Sequence, residues 1–185
     1  MSRSKQCILL LGLGNDLLTD DAIGLRVVAG ARVQLKRQPN VAVLESGEMG
    51  LGLLDVVTGF DGLVVVDAIQ TGQAAPGSIH ELDLSNLQTL PGTSPHFLGL
   101  GETLALGRRL DLEVPSRVKI LAIEVQDPHT VGTHLTPALK AVLPKLVKRA
   151  VSACRGLKII SPANGRGSSH PPAHSRRAAA NGALN

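Results

Sequence analysis

Length, composition and charge exclude several classes of protein. A chain of 185 residues accommodates one domain with a sizeable core but not two ordinary domains, and 43% apolar with 18% charged residues excludes a wholly disordered chain. Of the 19 basic residues, five lie from Arg155 onward, where no acidic residue occurs, so the preceding chain has 14 basic and 15 acidic residues and lacks the charge excess of a nucleic-acid-binding fold.

The residue types predict an aliphatic core and free thiols. Trp and Tyr are absent and Phe occurs only twice, so aliphatic side chains must fill the interior. Cys7 and Cys154 lie far apart without a CxxC partner, which is typical of reduced, structural cysteines. The apolar run near the amino terminus is too short for a signal peptide or a membrane span, so we expect a cytoplasmic protein.

Apolar runs alternate with helically spaced apolar residues along the chain. The runs predict strands at 7–11, 41–44, 62–69, 78–84 and 118–125, and the helical spacing predicts helices at 23–31, 49–58, 96–109 and 137–154. This order predicts an α/β fold, a three-layer sandwich whose mostly parallel, twisted central sheet carries helices on both faces.

The composition changes near the end of the last predicted helix. We expect the α/β domain to occupy residues 1–158. Residues 159–185 are rich in Pro, Gly, Ser and Ala and have no apolar periodicity, which predicts a disordered basic tail.

The first predicted strand leads into a glycine turn and an acidic loop. Gly12 and Gly14 permit a backbone turn that a Cβ would obstruct, and Asn15 tolerates the same left-handed region. We expect Asp20 to be the N-cap of the following helix and Asp21 to lie in its first turn, where the helix dipole stabilises negative charge. On this stretch alone, the simpler interpretation is that both carboxylates only start a helix.

Three titratable residues are predicted to share one edge of the sheet. Asp21 follows the first strand, Asp67 ends the third, and His96 lies in a Ser-Pro-His turn before a later helix; open α/β sheets carry their sites at the carboxyl ends of the strands. Two carboxylates and an imidazole suit a divalent transition metal ion such as nickel, zinc, manganese or iron, and equally suit acid–base catalysis. Taken singly, Asp67 caps a strand and His96 is ordinary turn chemistry.

Other candidates are weaker. His129 and His134 flank a glycine loop and suit groups that support a site, although surface histidines near a helix start are commoner. Glu48 follows the second strand and is either a further carboxylate of the crevice or a helix first-turn charge. His170 and His174 belong to the low-complexity tail.

Several separated motifs resemble the hydrogenase maturation proteases, which trim the carboxyl-terminal extension of the large subunit of nickel-iron hydrogenases. The resemblance extends from about residue 8 to 151. It rests on Gly12-Leu13-Gly14-Asn15, the Asp20-Asp21 loop with Gly24, Val66-Asp67-Ala68, Ser94-Pro95-His96, Leu98-Gly99-Leu100, and the glycines at 47 and 50.

The resemblance implies a function and a site. It implies an aspartic-type endopeptidase in which Asp21, Asp67 and His96 are both the catalytic and the metal-binding residues. It further implies that these residues recognise nickel already inserted in the large-subunit precursor, which would make cleavage a checkpoint on assembly. The family often has Glu at the first of these positions, where this chain has the shorter Asp21, and a small polar residue where it has Glu48. One hypothesis is that substrate nickel orients the scissile peptide while a carboxylate activates water.

Two alternatives remain at the level of sequence. A Rossmann-type nucleotide-binding module is suggested by Gly12 and Gly14, but Leu17 stands where the third glycine of the fingerprint falls. A non-catalytic, nickel-dependent hydrogenase assembly chaperone would use the same ligands as the protease. Under either hydrogenase reading, the expected partner is the large-subunit precursor, with no nucleic acid and no membrane, and the protein is expected to be a monomer.

Overall fold

The computed structural model describes residues 6–85 and 99–159. Within these ranges the chain forms five strands, β1 (Ile8–Leu13), β2 (Val41–Ser46), β3 (Gly62–Ile69), β4 (Ile79–Leu82) and β5 (Arg117–Glu124). The helices are α1 (Ile23–Leu35), α2 (Leu53–Val57), α3 (Leu100–Arg109) and α4 (Pro137–Gly156), with short 3-10 turns at Asp20–Ala22 and Gly50–Gly52.

The strands form one sheet in the order β2-β1-β3-β5-β4. The first four strands in this order are parallel, with Leu10 opposite Val43 on one side and Val64 on the other, and β4 joins the edge antiparallel to β5. Every residue of β1 and β3 is buried, as expected for continuous apolar strands covered on both faces of a parallel sheet. The mostly parallel sheet predicted from the sequence is confirmed.

Helices cover both faces of the sheet, which confirms the three-layer architecture. On one face, α1 and α4 pack together over alternate residues of β1 and β3, including Leu10 and Val64. On the other face, α2 and α3 pack over the residues between them, such as Leu11 and Val65. Both cores consist almost entirely of aliphatic side chains, and Phe60 is the one aromatic residue buried in the described ranges. Cys7 and Cys154 are free thiols.

Two glycines allow α1 to begin directly against the carboxyl ends of the strands. A Cβ at Gly24 would collide with the backbone carbonyl oxygens of Leu13 and Val66, and a Cβ at Gly12 would collide with the carbonyl oxygen of Gly24. Gly14 has a φ of 141°, a conformation that side chains rarely adopt, and it lies against the backbone of Asp21. The glycines therefore set how closely the Asp20–Ala22 turn approaches the sheet.

Several predicted boundaries differ from those observed. The helix predicted at 96–109 begins at Leu100, because Gly99 before it has a left-handed φ of 80°; residues 96–98 lie outside the described ranges. The helix predicted at 49–58 is shorter, because a 3-10 turn with two glycines precedes α2. The predicted tail lies almost wholly outside the described residues. No helix within 6–85 and 99–159 has the length and hydropathy needed to cross a membrane.

Candidate active site

A cleft of about 220 Å³ opens at the carboxyl edge of the sheet. The loop after β1 contributes Asn15, Leu18 and Asp21, the segment ending β3 contributes Ala68, Ile69 and Gln70, the loop after β5 contributes Val125, Pro128 and His129, and Met49 lies in the segment after β2. Its walls are mainly apolar, with a few polar groups, which is the usual character of a ligand-binding cleft. This is the edge at which the sequence predicts a site.

Asp21 is a wall of this cleft. It lies in the 3-10 turn before α1, is 8% exposed, and accepts a hydrogen bond from the backbone N–H of Asn15 on Oδ2 at 2.7 Å. The turn also contacts β3. The close approach permitted by Gly14 and Gly24 therefore holds the Asp21 carboxylate beside the strand that carries Asp67.

Asp67 does not line the cleft but directly precedes two residues that do. It is within β3, is 0% exposed, and is followed directly by the cleft residues Ala68 and Ile69. Since strand residues alternate between faces, Asp67 shares the face of Val65 and Ile69, over which α2 and α3 pack. Its Oδ1 accepts a hydrogen bond from the backbone N–H of Ala68 at 2.9 Å.

His96 lies outside the described residues, so its predicted place at the site stays a prediction. The helix that follows it in the chain, α3, packs on the face of the sheet to which Asp67 belongs. Within residues 6–85 and 99–159, no three His, Cys, Asp or Glu side chains are grouped so that they could hold a metal ion.

The expectation that Asp20 is the N-cap of α1 is wrong. Thr19 precedes the 3-10 turn and Ala22 precedes α1, and neither makes a side-chain capping bond. The buried Asp20 carboxylate instead accepts four hydrogen bonds from the loop between β5 and α4. The donors are the backbone N–H of Thr136 at 2.8 Å, its hydroxyl at 3.0 Å, and the backbone N–H groups of Gln126 at 3.3 Å and Asp127 at 3.0 Å.

Further bonds join the same two loops. The backbone N–H of Thr19 donates to the carbonyl oxygen of Thr130 at 3.0 Å, and the Thr19 hydroxyl donates to the carbonyl oxygen of Asp127. Leu18 forms an antiparallel bridge with Val131. The loops after β1 and β5 thus form one hydrogen-bonded unit on one side of the cleft.

Sequence reasoning missed a fourth buried carboxylate, Glu124, at the end of β5. Its Oε1 accepts the backbone N–H groups of Thr71 and Gly72, both at 2.9 Å, while Oε2 lies 2.6 Å from the Thr71 hydroxyl and 3.0 Å from His80 Nε2. Burial raises the pKa of Glu124, but these hydrogen bonds outweigh it and hold the pKa below its usual value. The only signal in the sequence was an acidic residue ending an aliphatic strand.

Of the weaker candidates Glu48, His129 and His134, the structure places only His129 on the wall of the cleft. Glu48 is exposed, does not line the cleft, and its carboxylate lies against Gly52 in the 3-10 turn, which favours the helix-associated role over a place in the crevice. His129 lines the cleft, whereas His134 is exposed on the same loop outside it. No pattern in the sequence distinguished these two histidines.

The mostly parallel, helix-covered sheet with a largely apolar cleft at its carboxyl edge, lined by Asp21, makes this chain an α/β protein with a candidate active site, and comparison identifies the family. The family model described as HycI, hydrogenase maturation protease, matches residues 25–153, a range that includes Asp67 and His96. The hydrogenase 2 maturation protease of Escherichia coli is 35% identical over 155 residues, covering 79% of this chain and 94% of the relative.

A second relative and a solved structure support the same family assignment. The hydrogenase expression/formation protein HupD of Rhizobium leguminosarum bv. viciae is 29% identical, covering 89% of this chain and 82% of the relative. The solved structure of the hydrogenase maturating endopeptidase HybD from Escherichia coli superimposes with a TM-score of 0.65 at 31% identity, covering 81% of this chain and 93% of that one. The chain belongs to the hydrogenase maturation protease family and is a hydrolase, so the nucleotide-binding alternative is set aside.

Proposed function

We propose that this protein removes the carboxyl-terminal extension of a nickel-iron hydrogenase large-subunit precursor after nickel has been inserted. The observation that carries the proposal is that Asp21 lines the cleft while Asp67 lies directly before two cleft residues, in a chain of the maturation protease family. Two carboxylates at the edge of one cleft suit recognition of a divalent ion carried by the substrate.

Asp21, Asp67 and His96 are proposed as the residues that hold the substrate's nickel and act in catalysis. The described residues supply the two carboxylates but no complete group of three ligands, so the site requires a ligand such as His96 from outside those ranges. In this scheme the nickel ion is carried by the precursor. A precursor without nickel therefore lacks the ion that the proposed ligands bind. This dependence makes cleavage a checkpoint.

Aspartic-type chemistry, in which a carboxylate activates water, is the proposed mechanism. Both cysteines argue against a thiol nucleophile: burial raises the pKa of Cys154 to about 12, and burial together with the charge of Asp61 raises the pKa of Cys7. A thiol with a raised pKa is a poor nucleophile at neutral pH. The sequence also contains no G-x-S-x-G nucleophile elbow.

Intact-mass analysis of a large-subunit precursor tests the proposal. The precursor is incubated with this protein in nickel-loaded and nickel-free forms, and the expected result is loss of a carboxyl-terminal peptide from the loaded form alone. Cleavage of both forms would contradict the proposal that cleavage depends on nickel in the precursor. Binding of the loaded precursor without cleavage would contradict the protease and favour the assembly chaperone.

A further inference from the structure

We propose that His129 is a catalytic residue of this cleft, and that its ring N–H gives a proton to the nitrogen of the leaving peptide. The inference rests on the proposed function, since it requires a scissile peptide in the cleft. It assigns a task to a residue that lies 108 positions from Asp21 in the sequence but on the wall of the same cleft.

The composition of the cleft supports this assignment. Among the described residues that line it, Asp21 and His129 are the only titratable ones; the other polar side chains are the amides of Asn15 and Gln70. Peptide hydrolysis needs a base for water and an acid for the leaving nitrogen, and a carboxylate and an imidazolium in one cleft offer one of each. The amides do not release a proton at any physiological pH.

The amides are also engaged elsewhere. Asn15 accepts a hydrogen bond from the backbone N–H of Leu17 at 3.0 Å, and Gln70 Nε2 donates to the carbonyl oxygen of Gln126 at 2.9 Å. For the His129 ring, by contrast, no hydrogen-bond partner is found among residues 6–85 and 99–159. Its exposed ring therefore remains available to a substrate.

Two carboxylates hold the backbone that carries His129. Asp20 binds the N–H groups of Gln126 and Asp127, and the Asp127 carboxylate accepts the N–H groups of His129 at 3.4 Å and Thr130 at 3.1 Å. Hydrogen bonds to Thr130, with smaller contributions from the backbone and charge of His129, lower the pKa of Asp127. A loop held in this way, with an exposed side chain on the cleft wall, is preorganised for contact with a ligand.

The proposed step balances without an added reagent. Water bonds to the scissile carbonyl carbon and loses a proton to a carboxylate of the site, and the C–N bond breaks. The imidazolium form of His129 gives its N–H proton to the departing nitrogen and becomes neutral imidazole. The carboxylate proton then returns to the imidazole through solvent. The products are a free carboxyl terminus and a free amine, and both protein groups are restored.

Single-turnover cleavage of a nickel-loaded precursor by His129→Ala and His129→Gln tests the step, with His134→Ala on the same loop as the matched control. We expect the cleavage rate of both His129 variants to fall by about 100-fold or more, with little change in KM. The reason is that loss of a general acid lowers a reaction rate roughly 10²–10⁴-fold. His134→Ala should cleave at the wild-type rate. Far-UV circular dichroism and thermal unfolding check that each variant is folded.

A precursor semisynthesised with a thioester at the scissile bond distinguishes proton donation from mere positioning. A thiolate leaves without protonation because its pKa is about 8.5, so wild type and His129→Ala should cleave the thioester at rates within about threefold, after subtraction of spontaneous hydrolysis. An equal defect on amide and thioester, or no defect on the amide, overturns the assignment while leaving the proposed function intact. Failure of the wild-type protein to cleave the amide overturns both.

Discussion

Two pairs of acidic residues at the carboxyl edge of the sheet differ in what surrounds them. Asp20 and Glu124 are buried among hydrogen-bond donors and hold the loops that frame the cleft. Asp21 lies on the cleft wall, and the buried Asp67 directly precedes the cleft residues Ala68 and Ile69 in β3. Neighbouring carboxylates, even consecutive ones such as Asp20 and Asp21, thus differ in the groups that meet them. Asp20 and Glu124 form a framework pair, and Asp21 and Asp67 form the chemical pair, the one for which we propose a role in catalysis.

The two framework carboxylates also differ from each other. Both oxygens of Asp20 face backbone N–H groups, which can only donate. One oxygen of Glu124 instead faces a hydroxyl and an imidazole, and each of these groups can exchange the role of donor for that of acceptor. An amide in place of the carboxylate should therefore be harmful at Asp20 and tolerated better at Glu124.

The largest effect is expected at the chemical pair. Asp67→Asn should lower cleavage of the nickel-loaded precursor by about 10³-fold or more, because it removes a carboxylate needed for metal recognition or water activation. Far-UV circular dichroism should show a folded protein. Asp55→Asn, a change of the same kind on the exposed side of α2, is the control and should leave the rate unchanged. Wild-type activity in Asp67→Asn would remove Asp67 from the site.

Asp20→Asn should destabilise the fold most among the framework changes. The amide nitrogen must face a backbone N–H, so the free energy of unfolding should fall by about 3 kcal/mol through lost bonds and an unsatisfied donor. Urea unfolding followed by circular dichroism measures the change. The control is Asp16→Asn on the same loop, where the side chain is exposed and the expected change is within about 0.5 kcal/mol. Equal stability of the two variants would contradict the framework role.

Gly24→Ala tests the close approach that sets the Asp20–Ala22 turn against the sheet. A methyl group there meets two backbone carbonyl oxygens that cannot rotate away, so we expect a loss of about 2 kcal/mol and slower cleavage as the turn carrying Asp21 is displaced. In contrast, a Cβ at Gly101 in α3 meets no atom within 4 Å, and Gly101→Ala should stabilise the protein by up to about 1 kcal/mol. Thermal unfolding of the two variants measures the expected loss of stability in Gly24→Ala and the expected gain in Gly101→Ala.

Glu124→Gln should have the smallest effect at neutral pH, about 1 kcal/mol, because its partners can exchange roles. The folded-state pKa of Glu124 is lowered, so its contribution is complete above the usual pKa of 4.5 and is lost as the pH falls below that value. The difference in unfolding free energy between wild type and Glu124→Gln should therefore shrink on acidification. A difference independent of pH between 7 and 3 would show that ionisation of Glu124 does not contribute.

How much the sequence revealed depends on the range of the interaction. The residues of β3 were predicted with their observed bounds, because a continuous run of branched aliphatic residues is a local pattern. The start of α3 was missed because a left-handed Gly99 interrupts an otherwise helical spacing. Asp21 and Asp67 were placed at the sheet edge by element order alone, while the predicted role of His96 still awaits its test.

The sequence by itself determined the aliphatic core, the order of strands and helices, and the family. Short local patterns and motifs are sufficient to predict each of these features. Tertiary structure alone decided that Asp20 binds Thr136, 116 residues away, that Glu124 closes a turn after β3, and that His129 faces the cleft while His134 does not. The physical reason is that the role of a buried carboxylate or an imidazole is set by the donors and acceptors around it. Those groups come from loops that only the packed sheet brings together.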